Sequence, residues 1–107
     1  LKDLEMHREI GLRQRNHQFG HIFSGDGYSS GYYSYLWSDV LNADAYGAFT
    51  EAGGPYDAKI ARKLRDQILS VGNTMDPADA YRAFRGRDAT VDALMKKRGF
   101  PPVKSSR

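Results

Sequence analysis

The stretch DPADAYRAFRG, residues 76 to 86, leaves its backbone few choices. Asp76 can cap a helix, Pro77 has its φ preset for the first helical position, and Gly86 supplies a left-handed stop. The spacing predicts a helix over 77–85. Similar punctuation recurs on both sides of it. Asp57 caps a segment whose Ile60, Leu64, Ile68 and Leu69 share one face up to a stop at Gly72. Val91, Leu94 and Met95 mark a short helix from about Asp88 to Gly99, with Pro101 and Pro102 beyond it. Upstream, Tyr33, Leu36, Trp37, Val40, Leu41 and Tyr46 make an apolar stripe at helical spacing. That helix is expected to start near Ser29 or Ser30, run to Phe49 and end at Gly53 or Gly54. The expected fold is all-α: three to four helices following a glycine-rich loop.

The organisation is that of one 107-residue domain at most. Residues 1–15 are charged, with an irregular apolar pattern (Leu4, Met6, Ile10, Leu12), and from Asn16 to about Ser29 the composition turns to His, Gly, Ser and Asp. Gly25, Asp26 and Gly27 favour positive φ and mobility there. Residues 1–29 thus form an N-terminal segment and glycine-rich loop, 30–100 the helical part, and 101–107 a tail. The start has no initiator Met and no apolar core of a signal peptide, so a piece of a longer chain is expected.

Composition narrows the function. The net charge of +3 comes from interleaved signs rather than a basic stripe, which argues against a nucleic-acid partner. With no cysteine there is neither a disulfide framework nor a thiolate metal site, which fits a cytoplasmic location. No apolar run approaches the roughly 20 residues that cross a bilayer, so no membrane partner is expected.

HIFSGDGYSSGYYSYLW, residues 21 to 37, is the unusual stretch. Its tyrosines at 28, 32, 33 and 35 carry hydroxyls that an ordinary core does not need. In a helix starting by Tyr28, Tyr28, Tyr32 and Tyr35 fall at i, i+4 and i+7 on one face, while Tyr33 joins the stripe of Leu36, Trp37 and Val40. Two readings stand: a row of neutral phenol donors for an anionic or carbonyl group, or packed rings with their hydroxyls in water. His17 and His21 have a metal-ligand spacing only if they share a helix. Gln18 stands where H-E-x-x-H carries its general-base Glu, and His7 offers no third ligand at a recognisable spacing. No metal ligand is expected in this chain.

The run F-G-H-I-F-S-G-D-G-Y-S-S-G-Y-Y-S-Y-L-W-S-D-V-L-N-A-D-A-Y, together with F-R-G-R-D-A-T-V-D-A-L-M-K-K-R-G-F, resembles the C-terminal catalytic segment of the thimet oligopeptidase (M3) family of zinc metallopeptidases. Within it the bacterial peptidyl-dipeptidase and oligopeptidase A branches look nearest, and the match covers roughly residues 16 to 100. The resemblance implies a part of a zinc-dependent enzyme that hydrolyses short peptides. It implies catalytic roles for Tyr35, which stabilises the oxyanion, and Tyr28, which closes on the scissile carbonyl. Substrate contacts fall to His21, Tyr28 and Tyr32, with Gly25 and Gly27 in the closing loop. The loop between His21 and Tyr28 is longer than in mammalian members, with Asp26 inside it. In the family, zinc is held by H-E-x-x-H and a downstream Glu, all N-terminal to the matching segment. The fragment alone is therefore expected to bind no zinc, to be inactive, to need the upstream remainder of the catalytic domain as partner, and to self-associate through its uncovered surface. The alternative is a helical binding module that kept the segment without the chemistry.

Overall fold

Asp76 caps its helix as its side chain allows: Oδ1 accepts the backbone N–H of Ala78 at 2.8 Å and that of Asp79 at 3.4 Å. Pro77 opens the helix, Arg85 is its last residue, and Gly86 takes the left-handed stop at φ 81°. The computed structural model describes residues 5, 7–11 and 15–100. The expected tail at 101–107, and Leu4, Met6 and Leu12, lie outside the described residues.

Among the described residues there are five α-helices and no strand: α1 (Gly20–Phe23), α2 (Ser34–Glu51), α3 (Ala58–Leu64), α4 (Pro77–Arg85) and α5 (Asp92–Lys97). The fold is all-α. Four of these helices follow the glycine-rich loop, and α1 is a single turn within the segment expected to be loop. A 3-10 turn at Asn16–Gln18 precedes it, closed by Gln18, whose side-chain oxygen accepts the Arg15 N–H at 3.0 Å. The chain divides into two compact units between Ser34 and Tyr35.

In the helical unit, Asp57 caps α3 by accepting the Ile60 N–H at 2.8 Å. The expected regular helix up to Gly72 gives way to a π turn at Arg65–Leu69. Ser70 closes that turn, donating both its N–H and its hydroxyl to the Arg65 carbonyl at 2.9 Å. The wider turn breaks the α periodicity, so Leu69 is exposed while Ile60, Leu64 and Ile68 remain partly buried. Gly53 and Gly54 end α2 with positive φ, as their position in EAGG suggests. The last helix begins at Asp92 rather than Asp88. Asp88 is held outside it, accepting Arg82 Nη1 at 2.9 Å through its side chain and Arg87 Nη1 at 2.7 Å through its carbonyl.

The core is small and sits in the middle of α2, where Val40 and Ala43 pack with Leu94 and Ala93 of α5. Ala48, Ala80 and Phe84 are also buried. This corrects the stripe read from the sequence, since Tyr33 is 74% and Trp37 63% exposed, with Leu36 and Tyr46 exposed as well. Small residues let the helices approach closely, and the large rings stay outside that contact.

Candidate functional site

The helix carrying the tyrosines starts six residues later than Tyr28, at Ser34. Two successive turns replace its expected first part, Gly31 N–H donating to the Tyr28 carbonyl at 3.2 Å and Ser34 N–H to the Gly31 carbonyl at 3.0 Å. The Ser29 hydroxyl donates back to the Asp26 carbonyl at 3.2 Å, a local bond that competes with helix formation. Tyr28 and Tyr32 therefore lie ahead of α2, and only Tyr35 is on it. The single helical face for all three is not formed.

What brings three of the expected residues together is ring packing. Tyr32 is the hub: its ring lies 4.8 Å from Phe19 and 5.5 Å from Tyr28, both edge-on, and 5.8 Å from His21. His21 in turn lies 5.4 Å from Phe19. Edge-to-face rings at these separations attract through their quadrupoles, by about 0.5–1.5 kcal/mol per pair beyond burial. Phe19, given no role from the sequence, is thus the packing post for His21 and Tyr32. Tyr35 stands in the first turn of α2, half exposed at 53%.

Gly25 and Gly27 lie in the loop after α1, but neither adopts a positive φ, and a Cβ on either would meet nothing within 4 Å. The expected left-handed backbone at these positions is not adopted. The turn at Asp26 is instead tied by Ser29.

His17 and His21 do not share a helix, because Phe19 (φ −78°, ψ 84°) breaks the chain between the 3-10 turn and α1. Among the described residues no three His, Cys, Asp or Glu side chains gather into a metal site. The described residues therefore do not fit the zinc that the resemblance implies. A cavity of about 650 Å³ between α2 and α5, lined by Ala43, Tyr46, Gly47 and Lys96 among others, contains none of the expected site residues.

The most tightly built polar cluster lay outside the sequence reading. Asp44, 1% exposed in α2, accepts the Tyr81 hydroxyl at 2.7 Å on Oδ2, Arg87 Nη2 at 2.7 Å on Oδ1 and Arg87 Nη1 at 3.2 Å on Oδ2. Arg85 Nε lies 3.4 Å from Oδ2, within ion-pair range but outside hydrogen-bond geometry, while its Nη atoms make a bidentate pair with Glu51 at 2.6 and 2.7 Å. Burial pushes the Asp44 carboxyl pKa up, but the bonds from Arg87 and Tyr81 and the charges of Arg87 and Arg85 outweigh it, and the net direction is down. Burial, then the bond to Asp44, raises the Tyr81 phenol well above its ordinary value. A buried Asp among apolar helix positions, with two Arg beside a downstream Gly stop, is the only sequence signal for this cluster.

These features define an all-helical segment that presents a His/Tyr cluster beside a glycine loop and a tyrosine at the start of a long helix. A sequence model of peptidase family M3 matches residues 4–100. Oligopeptidase A of Escherichia coli is 46% identical over 84 residues, and that of Haemophilus influenzae 45% over 84, each match covering 78% of this chain and 12% of the relative. Dipeptidyl carboxypeptidase of Salmonella typhimurium is 41% identical over 88 residues, 82% of this chain and 13% of the relative. The chain belongs to peptidase family M3, a family of zinc metallopeptidases. It spans about an eighth of the length of these relatives.

Proposed function

We propose that this chain is the oxyanion and substrate side of a zinc-dependent peptidase acting on short peptides, with zinc and general base supplied by other residues of the enzyme. The observation that carries the reading is the ring cluster joining His21, Tyr28 and Tyr32 next to the glycine loop. Relatives named for oligopeptide and dipeptidyl-carboxypeptidase action support the substrate class. In this reading His21 and Tyr32 line the substrate, and Tyr28 follows the Gly25–Gly27 loop as it closes. Peptide hydrolysis loads negative charge onto the scissile carbonyl oxygen, and the Tyr35 hydroxyl donates to it there. Such a donor acts most where charge develops, so it favours the transition state over bound substrate. A cytoplasmic location, with no nucleic-acid or membrane partner, belongs to the same proposal. So does association of the isolated chain with itself.

The test is a chimera in which this chain replaces the matching segment of Escherichia coli oligopeptidase A. The chimera should cleave short peptides. Tyr35→Phe keeps the ring and should lower kcat by roughly 10²–10³-fold with little change in KM. Tyr33→Phe is the control. Its ring is exposed rather than packed, but it belongs to the turn before α2 and not to the helix that carries Tyr35, so kcat should hold. A folded chimera that binds peptides without cleaving them would favour the binding-module alternative, and equal losses in the two variants would remove the special role of Tyr35.

A further inference from the structure

Asp44 and Tyr35 lie on the same helix, nine residues apart. That is about two and a half turns and roughly 13 Å along the axis, which puts the two side chains on opposite sides of α2. Asp44 faces the buried side and Tyr35 the exposed one. Asp44 therefore cannot touch a group held by Tyr35. It can act on it only through the helix. The bonds at Asp44 are suited to that. Tyr81 and Arg85 belong to α4, and Arg87 follows its Gly86 stop, so one carboxylate ties α2 to α4 and to the chain beyond it. Glu51 ties the far end of α2 to Arg85 as well. A planar guanidinium bound through two nitrogens fixes direction as well as distance, so these bonds resist both rotation and sliding of α2. An apolar contact of small residues such as Ala43 and Ala48 resists sliding far less.

We propose that Asp44 is a positioning residue for Tyr35: by clamping α2 to α4, its carboxylate sets the rotation and axial height of the helix that presents the Tyr35 hydroxyl. The inference rests on the reading of Tyr35 as the oxyanion donor. A misplacement near 1 Å at a reacting group costs about 10²-fold in rate, so a clamp on the far side of the helix has a measurable consequence.

Two measurements test it. In the 107-residue chain carrying ring-labelled tyrosine, Asp44→Asn should shift or split the Tyr35 ring resonance, which Tyr35→Phe identifies, and leave those of Tyr28 and Tyr32 in place. In the oligopeptidase A chimera, Asp44→Asn should lower kcat by about 10²-fold in protein that circular dichroism shows to be folded, with KM little changed. It should add no further loss when Tyr35 is already Phe. A merely structural role lowers the folded fraction and leaves both the ring resonance and kcat per folded molecule as they were. An unmoved Tyr35 resonance, or the same kcat loss in both backgrounds, overturns the proposal. If Asp44→Asn does not fold, Tyr81→Phe removes one donor from the same carboxylate and is judged by the same two outcomes. A Tyr35→Phe chimera with unchanged kcat defeats the oxyanion reading alone, and the ring resonance still decides the clamp.

Discussion

A carboxylate with 1% exposure stays ionised only because Arg87, Tyr81 and the charge of Arg85 replace the water it has lost. Its folded pKa lies below its ordinary value, so the ionised form is the one the fold prefers. The resulting stability is fully present above the unfolded pKa of about 3.9 and is lost as pH falls through the lower folded value. Glu51 is held down in the same direction by Arg85. Urea unfolding followed by helix signal should therefore give a stability that is flat near neutral pH and falls in acid below about pH 4. Asp44→Asn should cost about 3 kcal/mol at pH 7, near the lower end for breaking a buried pair, because Arg87 keeps part of its side chain in water. The variant should also lose much of the acid-side slope. A slope identical to that of the wild type would assign the acid sensitivity to other carboxylates. Little of this was legible in the sequence. Asp57, Asp76 and Gly86 announced themselves because a cap bonds within four residues, whereas Asp44 finds Tyr81 and Arg87 37 and 43 positions away.

Elements were legible where local chemistry and packing agreed. In α4, the cap, the Pro and the Gly all specify one helix, and Ala80 and Phe84 bury its inner face. They were misread where a polar side chain offered the backbone another partner. Ser29 bonds Asp26 and delays α2 to Ser34, and Ser70 bonds Arg65 and widens the end of the α3 segment into a π turn. The same logic separates the glycine-rich loop from the helix that follows. Ser24–Tyr28 is exposed and lies outside any helix, while Val40–Ala48 lies within an unbroken helix over the core. A loop that closes on substrate belongs to the least protected end of the scale. Hydrogen exchange should be fast across Ser24–Tyr28 and slow across Val40–Ala48. Equal protection in the two stretches would tell against a closing loop, whatever the role of Tyr28.

For the whole molecule the decisive contrast is between what the helical unit buries and what it shows. Val40, Ala43, Ala48, Ala80, Phe84 and Leu94 are buried, and only Phe84 and Leu94 among them are large. Exposed near the start of α2 are Leu36 and Trp37, on the side that Val40 and Asp44 continue. A helix whose apolar stripe runs past the helices packed on it has room there for a further partner. Exposed apolar surface of this kind marks an interaction face. On the proposed function it suits packing against other parts of a peptidase, and for the chain by itself the available partner is a second copy. The net charge of +3 is too small to oppose such contact strongly. Sedimentation of the isolated chain should show reversible, concentration-dependent association, with the Trp37 emission moving to shorter wavelength as the species grows. Because Trp37 is 63% exposed, Trp37→Gln should leave the helix content nearly unchanged and shift the equilibrium toward the monomer. Association as strong in Trp37→Gln as in the wild type would place the contact elsewhere and leave the exposed start of α2 without this role.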